Sequence, residues 1–187
     1  MLVLASASPR RHELLTQAGF TFEIHPAHIP EDPHPGEDPI AYVTRLARQK
    51  AEAVFAKLSG TYPDLTVLGA DTTVTLDNHI LGKPENEEDA ARMLRLLSGR
   101  THLVITGVAV ITASHTEVAA DVTAVQFLTL SEKEIRDYIA TGEPSDKAGA
   151  YAIQGHAARW IPRIEGCYFN VVGLPISLVA TLLQSLQ

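Results

Sequence analysis

Leu2-Val3-Leu4-Ala5 runs directly into Ser6-Ala7-Ser8-Pro9-Arg10-Arg11, and an amphipathic stretch over residues 12–18 then stops at Gly19. An apolar run followed at once by a helix opening reads as a buried strand, a tight turn and a helix. Ser8 stands where an N-cap belongs, and Pro9 occupies the first helical position. Arg10 and Arg11 then place positive charge in the first turn, where the helix dipole and the free N–H groups favour anions. Two solutions fit: the arginines form a solvated surface, or a phosphate binds at this turn and faces the N–H groups and both guanidiniums.

Strands and helices keep alternating along the chain. Residues 20–24 read as a second short strand, and 25–37 as a loop rich in Pro, His and acid. Asp38-Pro39 opens a helix to Leu58. Residues 66–70 form a strand that ends in Asp71-Thr72 and continues through 73–76. Asp77-Asn78 turns the chain into a return strand over 79–81. Asn86 caps a helix that stops at Ser98-Gly99, with Glu87, Glu88 and Asp89 in its first turn. Residues 102–111 and 117–130 are long β-branched segments that pair. Ser131-Glu132-Lys133-Glu134 is a capping box opening a helix to Ala140. A glycine-containing loop over 146–155, a strand over 159–164, a second loop over 166–175 and a helix over 175–186 complete the pattern. The interleaving gives an α/β class, and the long adjacent strands make the sheet mixed rather than purely parallel. The 187 residues fit one domain, or two small lobes sharing a sheet.

The formal net charge of −7 argues against non-specific nucleic-acid binding, which needs a basic surface, although a local basic cluster can still hold a phosphate ligand. No apolar run reaches the roughly 20 residues of a membrane span, and the N-terminus lacks the pattern of a signal peptide. The single cysteine, Cys167, leaves no partner for an internal disulfide and fits a reducing cytoplasm.

Several residues could carry chemistry. Lys50 lies near the centre of an apolar helical stripe formed by Val43, Leu46, Ala47, Ala51, Val54 and Leu58, so it must snorkel out or meet an anion. Asp71 follows an apolar strand at the edge where α/β crevices open; it could hold a divalent metal, orient a water, or cap a turn. Lys83 sits between Gly82 and Pro84, suiting either a phosphate contact or a plain surface turn. Glu31 and Asp32 lie in an acidic loop and could bind metal or be solvated. Gln154, in the glycine-containing loop, could read a base edge. The eight histidines show no zinc-site spacing, and no Walker loop or dinucleotide fingerprint is present.

Together these residues suggest a metal-assisted phosphate site. The segments Ala5-Ser6-Ala7-Ser8-Pro9-Arg10-Arg11, Gly69-Ala70-Asp71-Thr72, Gly82-Lys83-Pro84, Leu97-Ser98-Gly99, Thr106-Gly107-Val108, Asp146-Lys147-Ala148-Gly149-Ala150-Tyr151, Ile153-Gln154-Gly155 and Asn170-Val171-Val172-Gly173-Leu174-Pro175 resemble the Maf family of nucleotide pyrophosphatases, in order and over nearly the whole chain. The resemblance implies an inosine-triphosphatase-like fold with an elongated mixed sheet, flanking helices and a cleft between two lobes. It implies hydrolysis of a nucleoside triphosphate to the monophosphate and pyrophosphate with a divalent cation, Mg or Mn. It also implies a cytoplasmic house-cleaning role, with no nucleic-acid or membrane partner, and allows a homodimer.

Asp-Lys-Ala-Gly-Ala-Tyr with Ile-Gln-Gly looks like the branch acting on dTTP and UTP. The sister branch acting on 7-methyl-GTP has Glu where this chain has Gln154. By resemblance Arg10, Thr72 and Gln154 set base specificity, and Asp71 is the proton acceptor. Asp71 and Glu31 hold metal, and Ser6, Arg11, Glu31, Lys50 and Lys83 are the remaining polar positions of the cleft. Ala152, Cys167 and Phe169 depart from the family's usual residues and bear on substrate range. The other class weighed is a nucleotide-binding regulator of cell division that does not turn its ligand over.

Overall fold

The computed structural model describes residues 1–186. Its strands are β1 (Leu2–Leu4), β2 (Glu23–Ile24), β3 (Thr66–Leu76), β4 (His79–Leu81), β5 (Thr101–Ile111), β6 (Thr116–Gln126) and β7 (Arg163–Glu165). Its α-helices are α1 (Pro9–Gln17), α2 (Pro39–Leu58), α3 (Glu87–Leu97), α4 (Glu132–Ile139), α5 (Tyr168–Val172) and α6 (Ile176–Gln184). The seven strands form one sheet in the order β2-β1-β3-β5-β6-β7, with β4 on β3. β1 runs parallel to β2 and β3, whereas β4 runs antiparallel to β3 and β7 antiparallel to β6. The sheet is therefore mixed and flanked by helices, as the alternation of elements requires.

Three segments differ from the sequence expectation. β6 ends at Gln126 rather than 130, because Phe127 and Leu128 bond to Arg100 O and Trp160 O instead of continuing the ladder. The strand expected over 159–164 forms only at its end: residues 159–160 close a 3-10 turn, His156–Trp160, and β7 begins at Arg163. The loop expected over 166–175 contains the short helix α5, which carries no cap or charge signal that periodicity could detect.

The chain divides into two compact units, one made of residues 1–72 with 106–121 and the segment from Gly173 onward, the other of 73–105 with 122–172. In the first unit α2 covers the strands through Ala47, Ala51, Val54 and Leu58, against Val3, Ala5, Val67, Ala109 and Ile111. The approach is closest at Gly69, where a Cβ would overlap Ala47 O on α2. A glycine in β3 thus lets the helix backbone rest on the strand, two residues before Asp71.

The second unit packs α3 and α4 around Met93, Leu94, Leu97, Phe127, Tyr138 and Trp160. His102 lies fully buried here, its Nε2 2.7 Å from Tyr151 Oη and its ring edge-on to Phe127. Burial holds its pKa down to about 4. The unfolded chain therefore binds the extra proton between about pH 6.5 and 4, and the folded one does not, so this group's contribution is complete above pH 6.5 and is lost as pH falls towards 4. Urea unfolding should show a loss of about 3 kcal/mol from this group between pH 7 and 4. His102→Gln should flatten that slope; an unchanged pH dependence would contradict the assignment.

Candidate active site

Two hydroxyl side chains and two backbone carbonyls of the first unit meet around Arg11. Ser8 takes the N-cap position of α1 in extended conformation, but its side chain makes no cap bond; its N–H donates instead to Ser6 Oγ. Arg10 stays half-buried in the first turn. Arg11, one residue on, turns inward. Its guanidinium donates to Gly173 O at 2.8 Å, Ala70 O at 2.9 Å, Ser6 Oγ at 3.1 Å and Thr72 Oγ1 at 3.0 Å. The charge conflict at this helix start is thus resolved for Arg11 by backbone and hydroxyl acceptors rather than by solvent. Thr72 Oγ1 also lies 2.9 Å from Thr106 Oγ1, and Arg11 thereby ties the turn after β1, the middle of β3 and the start of the C-terminal segment into one network.

The second cluster centres on Lys50. It sits on the buried face of α2, one turn beyond Leu46, as the stripe indicates. Its Nζ lies 2.7 Å from Asp71 Oδ1 and 2.6 Å from Glu31 Oε1. The lysine has found anions rather than snorkelled. Asp71 does not end the strand; β3 runs on to Leu76. Yet β1 stops pairing at Leu4–Leu68, so Asp71 lies three residues past the C-terminal end of its parallel neighbour. Burial pushes the Asp71 carboxyl above its ordinary range, against the opposing pull of Lys50 and Arg11. The same burial lowers the Arg11 pKa, with Asp71 opposing.

Glu31 is held in place by residues that the sequence did not single out. Tyr42 Oη, on α2, donates to Glu31 O at 2.8 Å, and burial beside Asp71 and Glu31 pushes its phenol up to about 12. One turn along α2, Arg45 grips Glu37 with two bonds of 2.6 and 2.7 Å and donates to Asp32 O at 3.2 Å. The Arg45 bonds, with burial opposing, pull the Glu37 carboxyl down to about 2. The acidic loop is therefore pinned to α2 at both ends. The i, i+3 spacing of Tyr42 and Arg45 is a usable signal only once the loop's position is known.

Two further sequence candidates lie in the second unit. Lys83 is exposed in the loop after β4, and Gln154 is exposed in a turn over 153–155. Gly149 N donates to Gly82 O at 3.0 Å, so the loops that carry them are joined by a backbone bond. Among the departures from the family pattern, Ala152 N donates to Tyr138 Oη, and Cys167 exchanges two bonds of 3.0 Å with Thr123 Oγ1.

Among the described residues no group of three or more His, Cys, Asp and Glu is arranged to hold a metal. Two carboxylates on one cation position nevertheless fit Mg²⁺ or Mn²⁺, since a hard cation of this size takes one or two carboxylates and completes its shell with water and phosphate oxygens.

A family model described as Maf-like protein matches residues 1–186. The chain belongs to the Maf family. Proteins named dTTP/UTP pyrophosphatase share 55% identity with it in Koribacter versatilis strain Ellin345, over 98% of this chain and 93% of that protein. In Geobacillus sp. strain WCH70 the identity is 53%, over 94% and 92%. In Pelotomaculum thermopropionicum it is 51%, over 98% and 95%. A solved structure of the Ham1 protein of Staphylococcus aureus covers 100% of the Maf chain and 99% of its own, with a TM-score of 0.54 at 11% identity, which shows a shared fold. No described helix of the Maf chain is long and apolar enough to cross a membrane.

Proposed function

We propose that this Maf protein hydrolyses dTTP and UTP to the monophosphate and pyrophosphate, as a cytoplasmic enzyme using Mg²⁺ or Mn²⁺. The observation that carries the proposal is the convergence of Asp71 and Glu31 on a buried lysine beyond the end of β1. The names of relatives above 50% identity over nearly the full chain support the same substrate class.

Asp71 and Glu31 would hold the cation, which when bound offsets phosphate charge and lowers the pKa of water. Asp71 takes the proton of the attacking water. The water oxygen bonds to the α-phosphorus, the bond from that phosphorus to the bridging oxygen breaks, and pyrophosphate leaves. Lys50 and Arg10 would offset charge on the leaving group. Arg11 holds Ser6 and Thr72 in place through its own bonds. Gln154 offers a donor and an acceptor, matching N3–H and a carbonyl of uracil or thymine.

A metal-dependent panel of dTTP, UTP, CTP and 7-methyl-GTP, read by pyrophosphate release, tests this. The first two should turn over at least about tenfold faster, since a wrong base forfeits two Gln154 hydrogen bonds of about 0.5–1.5 kcal/mol each. Gln154→Ala should erase that preference. Equal rates on all four would sink the substrate assignment, and tight dTTP binding without turnover would favour a nucleotide-binding regulator.

A further inference from the structure

Gln154 is flanked on both sides by anchors that lead back to a single carboxylate, that of Glu143. Tyr138, on α4, donates its hydroxyl to Glu143 Oε1 at 2.7 Å and accepts from Ala152 N at 3.2 Å. On the other side of Gln154, Glu143 Oε2 accepts from His156 N at 3.2 Å and lies 2.9 Å from His156 Nδ1. Between these anchors Gly155 passes so close that a Cβ would overlap the Glu143 carboxyl. Its backbone, at φ −101° and ψ −154°, is extended and open to any residue. The space beside Gly155 is therefore taken by the carboxylate and not closed by the turn. Burial opposes ionisation of Glu143, but the bonds from Tyr138 and His156 outweigh it and hold the group below its ordinary range. The Glu143 side chain is only 18% exposed, although that of His156, which it holds, is 62% exposed. A turn with no function beyond reversing the chain needs no half-buried carboxylate with three donors to fix it.

We infer that Glu143 is a specificity-positioning residue: its carboxylate, with Tyr138 as relay, locks the 152–156 segment so that Gln154 meets the base in one orientation. The inference rests on the assignment of Gln154 as the base reader. It gives Glu143 no contact with the reacting atoms, so its loss acts on base choice and KM rather than on the chemical step.

The experiment compares kcat and KM for dTTP and CTP in the wild type and in Gln154→Ala, Glu143→Ala and Tyr138→Phe. The dTTP:CTP ratio of kcat/KM should fall about tenfold in Glu143→Ala, the scale of a misaligned polar contact, through KM, with kcat within about threefold. Tyr138→Phe, which removes only the relay hydroxyl, should shift the ratio in the same direction, and decides the matter if Glu143→Ala does not fold. Gly155→Ala should lower the ratio in the wild type and have little further effect in the Glu143→Ala background, because the carboxylate it collides with is gone. An unchanged ratio in Glu143→Ala, or in Tyr138→Phe where that variant stands in, overturns the positioning role alone if Gln154→Ala still collapses the ratio. If Gln154→Ala also leaves the ratio intact, both assignments fall.

Discussion

Asp71→Asn is expected to lower kcat for dTTP by about 10²–10⁴-fold, the range supplied by a positioned general base. Asn has nearly the same shape and keeps an oxygen for Lys50, which stands 2.7 Å from Asp71 Oδ1. What it removes is the ability to take a proton and to hold a cation. Because the amide carries no charge, burial no longer works against the side chain, and the variant should remain folded by circular dichroism with a melting temperature within a few degrees of wild type. Near-full turnover would remove Asp71 from the chemistry. The same result with Lys50→Met would place the phosphate-binding charge elsewhere.

The largest expected loss of stability is at Arg11. Its guanidinium is buried and serves four acceptors contributed by the turn after β1, by β3 and by the C-terminal segment. Arg11→Ala leaves Ala70 O and Gly173 O without this donor and opens space between them. Each unpaired buried group costs about 1–3 kcal/mol, so the variant should lose about 3–5 kcal/mol in urea unfolding. Arg11→Lys should recover only part of this, because one ammonium cannot reproduce a planar fork reaching four oxygens. A loss below about 1 kcal/mol for Arg11→Ala would mean that the network holds without it.

Much of this was readable from the chain. The strand-turn-helix opening, the Asp38-Pro39 and Asn86 caps and the Ser131–Glu134 capping box all stand where residue chemistry puts them. Lys50 is legible as an anomaly because a lone charge in an apolar stripe must snorkel out or meet an anion, and Asp71 because it follows an apolar strand at the edge where α/β crevices open. Their pairing was not legible, since it depends on α2 resting on Gly69. The inward turn of Arg11 was equally hidden: two adjacent arginines in a first turn look alike in sequence, and only the helix phase separates half-buried Arg10 from buried Arg11. The strand expected over 159–164 forms only at its end, in β7, for a different reason. Trp160 and Ala157 are drawn into the core by the spacing of a 3-10 turn, and tertiary packing overrode the β-branched composition beside them.

In the proposed reaction water attacks the α-phosphorus of a pyrimidine triphosphate at Asp71. Hydrolysis of dTTP in ¹⁸O-labelled water with Mg²⁺, followed by mass spectrometry of both products, tests it most directly. The account predicts dTMP carrying one ¹⁸O and unlabelled pyrophosphate. Label in the pyrophosphate, with unlabelled dTMP, would put the attack on the β-phosphorus and contradict it.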